Sequence, residues 1–129
     1  MKKILIADDM VTVQHNLSLV LESHNYDVVG VASNCSEAIS LFRDKKPDIV
    51  LLDVLGMASF FEEENRDIDS FEVINIISRE SQSTKIIILT ASPKEEYLKK
   101  ALMAGAKGFL VKGVSNEKLV ETIENVAKK

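Results

Sequence analysis

The sequence predicts an α/β protein in which helices cover both faces of a five-stranded parallel sheet. Five short apolar runs without polar alternation recur along the chain, as expected of strands that are buried on both faces. These runs span residues 4–7, 28–32, 49–52, 86–89 and 109–111. Segments with apolar residues at helical spacing separate them, as Val13, Leu17 and Val20 do after the first run. Regular alternation of strands and helices with short connections implies a parallel sheet, in which the crossovers are right-handed.

Polar residues mark three of the predicted helix starts. In each, a residue with a short polar side chain stands three positions before a glutamate, which is the sequence signature of a capping box. The pairs are Asn34 with Glu37, Asp69 with Glu72, and Ser92 with Glu95. Pro93 suits the first position of a helix, so we expect the fourth helix to begin there, with Ser92 as its cap.

Composition limits the class of protein. The 129 residues fit one domain, spanning residues 1–129, and 46% of them are apolar, enough to fill an aliphatic core. A net charge of −4 without any basic run argues against direct binding to nucleic acid. No apolar segment approaches the length of a membrane span, and the single Cys35 cannot form an internal disulfide. We therefore expect a cytoplasmic protein that contacts no membrane, with Cys35 as a small core residue.

One connection is longer than the others. Residues 56–69 lie between the third strand and its helix, whereas loops of this type usually have about 2–6 residues. The segment contains Phe60 and Phe61, followed by three glutamates. We expect a mobile, solvated loop. The alternative is that the two phenylalanines fold over the neighbouring cleft or against a partner.

Polar residues that suit chemistry follow four of the predicted strands. They are Asp8 and Asp9, Asp53, Thr90 and Lys112. The carboxyl ends of parallel strands share one edge, where open α/β sheets bind their ligands, so we expect these side chains to meet. Three carboxylates about 5 Å apart repel one another by about 3 kcal/mol per pair, and Lys112 supplies only one positive charge. Oxygen ligands at an open site suit Mg²⁺, and the absence of Cys and His at the strand ends argues against zinc.

A divalent cation at this edge would make the remaining groups suitable for phosphoryl transfer. Asp53 is the best candidate nucleophile, because it stands alone at the end of a central strand. Asp8 and Asp9 are adjacent and suit the metal. The Thr90 hydroxyl and the Lys112 ammonium would then face the phosphoryl oxygens and stabilise their charge.

The chain resembles the receiver domain of two-component response regulators. Four segments carry the resemblance in the family's order, and it covers the whole chain apart from the long loop. The segments are residues 3–9, 48–54, 88–91 and 105–112. Each segment alone has little specificity, whereas the ordered set with its spacings is specific. The expected fold is flavodoxin-like, with strand order 2-1-3-4-5 and five helices on both faces of the sheet.

The resemblance implies a role for each of the three aspartates at the strand ends. Asp53 would accept a phosphoryl group from a phosphohistidine of a histidine kinase or of a histidine phosphotransfer protein, forming an acyl phosphate. Asp9, Asp53 and the backbone carbonyl of Leu55 would bind Mg²⁺, and Asp8 would do so mainly through water. The sequence does not specify the downstream protein target.

The resemblance also implies a conformational output. Lys112 would pair with the phosphoryl group, and the Thr90 hydroxyl would move toward it. Phe109 matches the family's switch aromatic, whose rotamer follows the position of Thr90. The added negative charge would thereby bias a loop and a helix surface between two states. Such a protein catalyses its own phosphorylation and dephosphorylation without being a turnover enzyme.

The sequence departs from the family pattern at several positions. Gly113 replaces the proline that usually follows the lysine through a cis bond, and Ser70 replaces the glycine of the usual Asp-Gly pair. The Met-Pro pair that usually follows the acceptor is absent. Leu55 stands two positions after Asp53, where the residue tends to set the dephosphorylation rate. An apolar side chain cannot hold the attacking water, so we expect slow autodephosphorylation.

Three other functions fit part of the pattern. A pseudo-receiver that only binds partners would suit Gly113 and the long loop. An aspartate-nucleophile, Mg²⁺-dependent phosphatase would need a general acid at the position of Leu55, which cannot donate a proton. A flavin-binding electron carrier would need backbone or hydroxyl groups after the first strand that donate hydrogen bonds to the flavin phosphate. Asp8 and Asp9 would repel a phosphate there.

Overall fold

The computed structural model describes all 129 residues and contains a five-stranded parallel sheet. Its strands are β1 (Lys3–Ala7), β2 (Asp27–Ala32), β3 (Ile49–Asp53), β6 (Lys85–Thr90) and β7 (Gly108–Val111). They lie in the order β2-β1-β3-β6-β7, and every neighbouring pair is parallel. The remaining strands, β4 (Ser59–Phe61) and β5 (Arg66–Ile68), form a separate antiparallel hairpin. Within the sheet the order is the predicted 2-1-3-4-5, so the prediction of a flavodoxin-like fold is confirmed.

Five helices cover the two faces of the sheet. They are α1 (Val11–Ser23), α2 (Cys35–Lys45), α3 (Ser70–Glu80), α4 (Glu95–Ala104) and α5 (Asn116–Ala127). Residues of α2, α3 and α4 pack on one face, and residues of α1 and α5 pack on the other. None of the five is both long and apolar enough to cross a membrane.

Alternate residues of each strand point to opposite faces, which divides the core into two layers. In β1, Leu5 and Ala7 belong to the layer beneath α2, α3 and α4, whereas Ile4 and Ile6 belong to the layer beneath α1 and α5. All four side chains are fully buried. Burying one side chain of the size of leucine contributes about 1.5–3 kcal/mol, so the two layers hold the strand ends firmly in place.

Two of the predicted helix starts are confirmed. Asn34 precedes α2, and its side-chain oxygen accepts a hydrogen bond from the Glu37 N–H at 2.9 Å. Before α3, Asp69 and Glu72 form a complete capping box. These bonds satisfy N–H groups that have no partner within the first turn of a helix.

The predicted start of α4 is wrong. The helix begins at Glu95, and Pro93 lies in the preceding loop. The Thr90 hydroxyl donates a hydrogen bond to the Ser92 carbonyl at 2.9 Å and accepts one from the Ser92 N–H at 3.0 Å. The Ser92 backbone is therefore held by the strand end and does not cap the helix.

The segment that the sequence predicts as a solvated loop is a packed hairpin, so that expectation is wrong. Met57, Phe61 and Ile68 are buried among core residues of α2 and α3, with exposed fractions of 1%, 7% and 1%. Phe60 faces the other way and is 50% exposed, because neighbouring residues of a strand point to opposite sides. Phe61 thus attaches the hairpin to this protein's own core.

Hydrogen bonds also join the hairpin to the start of α2. The Met57 carbonyl accepts a hydrogen bond from the Cys35 N–H at 2.8 Å, and the Ser36 N–H donates to Ser59 Oγ at 3.0 Å.

The Cys35 side chain is fully buried, and this burial raises the pKa of its thiol to about 12. The prediction that Cys35 is a small core residue is confirmed.

One arginine joins the hairpin to two helices. Arg43 of α2 contacts Glu63 in the hairpin turn and Glu80 at the end of α3, with a shortest N–O distance of 2.6 Å to each. The Arg43 side chain is 37% exposed, so solvent screens both pairs. Each such pair contributes about 0–1 kcal/mol, and the buried apolar residues supply more of the hairpin's stability.

Candidate functional site

The strand register brings four of the predicted polar residues to one edge of the sheet. Asp53 and Thr90 are the last residues of β3 and β6, and Asp8 and Lys112 directly follow β1 and β7. The Lys112 N–H donates a hydrogen bond to the Thr90 carbonyl at 2.7 Å, so the pairing of these strands extends into the site. Because all four strands are parallel, their carboxyl ends meet at the same edge.

Three carboxylates meet at this edge. One oxygen from each of Asp8, Asp9 and Asp53 lies within 4.8 Å of the other two. Asp8 and Asp53 are buried, with exposed fractions of 1% and 5%, whereas Asp9 is exposed. Asp8 Oδ1 accepts a hydrogen bond from the Met10 N–H at 2.8 Å, but the buried Asp8 Oδ2 has no hydrogen bond. A buried carboxylate oxygen that makes no hydrogen bond is stabilised by positive charge nearby, from an ammonium group or a bound cation.

Lys112 is the cation nearest to these carboxylates. Its Nζ lies 2.9 Å from Asp8 Oδ2, outside hydrogen-bonding geometry, and 3.1 Å from Asp53 Oδ2, to which it donates a hydrogen bond. Burial lowers the pKa of the Lys112 ammonium, but the two carboxylates outweigh this effect and raise the pKa above its ordinary value. The lysine therefore stays charged and neutralises one of the three carboxylates.

The surroundings of Asp53 raise the pKa of its carboxyl group. Burial raises the pKa of its carboxyl to about 6, and the Asp8 charge acts in the same direction while Lys112 opposes it. A carboxylate in this state binds either a proton or a metal cation more readily than an exposed aspartate does.

The predicted switch residues occupy two different environments. Thr90 is 1% exposed, and its hydroxyl bonds to the Ser92 backbone and not to Asp53. Phe109 lies in β7 and is 46% exposed. Thr90 therefore lies at the acidic edge with its hydroxyl held in its own loop, and the Phe109 ring lies partly in solvent.

Glycines with positive φ shape the two loops beside the carboxylates. Leu55 is 48% exposed, and Gly56 follows it with φ at +80°. Gly113 follows Lys112 with φ at +97°. Glycine adopts such backbone conformations without the steric cost that other residues meet. The chain has no cis peptide bond, so the bond between Lys112 and Gly113 is trans.

Two further residues support the site, and sequence reasoning did not assign them a role. The buried Ser70 hydroxyl donates a hydrogen bond to the Asp53 carbonyl at 2.6 Å. Gln14, in the first turn of α1, donates through Nε2 to the Asp8 carbonyl. The only signal for Ser70 in the sequence is its departure from the Asp-Gly pair. Gln14 is half-buried and carries no signal, since many polar residues suit the first turn of a surface helix.

The geometry narrows the class of protein. Oxygen ligands beside a lysine and a hydroxyl, at the carboxyl edge of a doubly wound sheet, suit a small protein that handles phosphoryl groups. Residues 4–124 match the response regulator receiver domain, and the chain belongs to this family. It is accordingly a phosphoryl-accepting signalling switch of the two-component type, and proteins of this family interact with histidine kinases.

Relatives of two architectures share this domain. The transcriptional regulatory protein YdfI of Bacillus subtilis is 33% identical over 125 residues, which cover 96% of this chain and 54% of YdfI. The chemotaxis protein CheY of Thermotoga maritima is 29% identical over 127 residues, covering 98% of both chains. A crystal structure of the CheX–CheY complex of Borrelia burgdorferi with BeF3 and Mg²⁺ matches with a TM-score of 0.82 and 25% identity, covering 97% of this chain and 88% of that one. The chain thus spans about half of YdfI and nearly all of CheY.

Proposed function

We propose that Asp53 is the phosphoacceptor and that its donor is a phosphohistidine on a kinase or on a histidine phosphotransfer protein. The observation that carries this proposal is the hydrogen bond of 3.1 Å from Lys112 Nζ to Asp53 Oδ2. An ammonium group fixed there would stabilise the charge of a phosphoryl group on Asp53. Asp53 also combines burial with a backbone held at both sides, by the sheet and by Ser70, whereas Asp9 is exposed.

The transfer needs only the phosphohistidine and a proton from the solvent. An oxygen of the Asp53 carboxylate forms a bond to phosphorus while the phosphorus–nitrogen bond of the phosphohistidine breaks. The imidazole leaves with the electron pair of that bond and takes a proton from water. The product is an acyl phosphate, in which the single charge of the carboxylate is replaced by nearly two charges on the phosphoryl group.

Mg²⁺ fits the acidic part of the site. Asp8 Oδ2 is buried without a hydrogen bond, and the oxygens of Asp8, Asp9 and Asp53 lie within 4.8 Å of one another. These three carboxylates and the backbone carbonyl of Leu55 would hold the ion, with Asp8 acting mainly through water. When bound, Mg²⁺ neutralises the carboxylates and the phosphoryl oxygens. The related CheX–CheY complex contains Mg²⁺ and BeF3, which supports this assignment.

The switch would start at Thr90. Its hydroxyl bonds only to the Ser92 backbone, so it reaches a phosphoryl group on Asp53 by exchanging local hydrogen bonds. Lys112 would stay beside Asp53 and pair with the phosphoryl oxygens. Phe109, which is 46% exposed and so is not fixed in the core, would turn inward as Thr90 moves. The loop after β6 and the surface around β7 would then carry the output.

Phosphorylation by a small donor tests the acceptor directly. The wild-type chain is incubated with phosphoramidate and Mg²⁺, and intact mass is measured. We expect one phosphoryl group on the wild type, none on Asp53→Asn, and none on the wild type in excess EDTA. Asp67→Asn, which alters an exposed aspartate of the hairpin, is the matched control and should be labelled like the wild type. A labelled Asp53→Asn variant would contradict the proposal.

A further inference from the structure

Gly56 is in unusually close contact with one of the acidic side chains. Its φ is +80°, and a Cβ atom built on it would lie 2.7 Å from Asp9 Oδ2, 3.1 Å from Cγ and 3.3 Å from Oδ1. The Asp9 carboxylate therefore occupies the space that a side chain at position 56 would need. We propose that Gly56 is a positioning residue that keeps Asp9 among the metal-binding carboxylates, an inference that rests on the function proposed for this site.

Asp9 depends on such packing more than its two neighbours do. Asp8 and Asp53 are buried, and each lies within salt-bridge distance of Lys112. Asp9 is exposed and forms no salt bridge with that lysine. Its carboxylate is at the end of a short flexible side chain. The position of this carboxylate therefore depends on the space that the backbone around Gly56 leaves for it.

The Gly56 backbone has little freedom to yield. Strand β3 ends three residues earlier at the buried Asp53. The next residue, Met57, is 1% exposed, and its carbonyl accepts a hydrogen bond from the Cys35 N–H at 2.8 Å. A side chain added at position 56 would accordingly displace the Asp9 carboxylate and leave the loop in place. The substitution should weaken metal binding far more than it disturbs the fold.

The chain offers a matched control for backbone strain. Gly113 has φ at +97°, also lies in a loop at the edge of the site, and has no atom within 4 Å of a built Cβ. Gly56→Ala and Gly113→Ala therefore both place alanine at positive φ, but only the first meets a carboxylate. Comparing the two variants separates the effect on Asp9 from the strain that both share.

The test measures Mg²⁺ affinity by calorimetry, Mn²⁺ affinity by the electron paramagnetic resonance of the free ion, and urea unfolding in EDTA. Gly56→Ala should bind both ions roughly 10- to 100-fold more weakly than the wild type, and Gly113→Ala should bind them like the wild type. The two variants should lose similar stability in EDTA. Equal metal affinity in the two variants would overturn the inference and leave the proposed function standing. A wild-type chain that binds neither ion would overturn the metal site itself.

A second comparison tests whether Gly56→Ala acts through the Asp9 carboxylate or through the backbone. In an Asp9→Ala background there is no carboxylate to displace, so adding Gly56→Ala should leave the residual Mg²⁺ affinity unchanged. A further loss of affinity in the double variant would show that alanine at position 56 acts through the backbone, and would overturn the role assigned to Gly56.

Discussion

Asp53 is buried beside a second carboxylate, and this position sets how its charge affects stability. Burial, together with the charge of Asp8, raises the pKa of Asp53 from 3.8 to about 6 despite the opposing effect of Lys112. The folded chain thus binds this proton more tightly than the unfolded chain. The stability that the bound proton contributes is fully present below pH 3.8, the pKa in the unfolded chain, and is lost as the pH rises through about 6.

We therefore expect Asp53→Asn to stabilise the protein at about pH 8 in the absence of divalent cations, because a neutral amide avoids the cost of a buried charge. The expected gain in the free energy of unfolding is about 1–2 kcal/mol, after allowance for solvent screening. At about pH 3 the gain should vanish, since the wild-type carboxyl is then protonated. Urea unfolding at both pH values measures this, with Asp67→Asn as the control. A variant that is less stable than the wild type at about pH 8 would contradict the expectation.

Leu55 allows a second prediction for a single residue. Its apolar side chain is 48% exposed beside the site and cannot hydrogen-bond a water molecule that attacks the acyl phosphate. We expect Leu55→Asn to shorten the lifetime of phosphorylated Asp53 by about tenfold or more, because an amide can orient that water. The measurement is the decay of the phosphoprotein mass after the donor is removed. Leu102→Asn, which changes a similarly exposed leucine of α4, should have no effect. An unchanged lifetime in Leu55→Asn would refute the prediction.

Among the elements, the β4–β5 hairpin provides its own matched pair of residues. Phe61 is 7% exposed and packs in the core, whereas its neighbour Phe60 is 50% exposed. We expect Phe61→Ala to lower the free energy of unfolding by about 3–5 kcal/mol through the cavity it leaves. Phe60→Ala should change it by only about 0.5 kcal/mol. Equal losses in urea unfolding would mean that the hairpin does not pack as described.

The elements also show where sequence patterns succeed and fail. The five sheet strands are predictable because each is a continuous apolar run between helical segments. The hairpin is not, since its strands have only three residues each, and the three glutamates and the asparagine of its turn are typical of solvated loops. The start of α4 fails for a different reason: the Thr90 hydroxyl competes for the Ser92 backbone, and this contact depends on where β6 ends.

For the whole molecule, an ion that binds only the folded chain should raise its stability. At a concentration of about 100 times Kd the expected gain is about 2.7 kcal/mol. We expect the unfolding temperature to rise with Mg²⁺, and to rise much less in Asp8→Asn, which alters the buried carboxylate whose Oδ2 lacks a hydrogen bond. NaCl at equal ionic strength is the control. An equal rise with NaCl would show that general screening, and not a site, is responsible.

The site as a whole could be predicted only in part. The meeting of Asp8, Asp53 and Lys112 follows from the topology, because parallel strands share their carboxyl edge. The contact between Gly56 and Asp9 does not, since it depends on the path of the chain into an unpredicted hairpin. The bond from Ser70 to the Asp53 carbonyl is likewise determined by the exact position at which α3 starts.

The position of Arg43 has a consequence for the side of the molecule opposite α1 and α5. One guanidinium group is the shared counter-ion of Glu63 and Glu80, so the hairpin turn and the end of α3 are attached to α2 through the same charge. Added electrolyte screens both attachments at once. A lysine at this position has one compact ammonium group instead of a planar guanidinium. It would pair closely with only one of the two carboxylates, and water would hydrate the other.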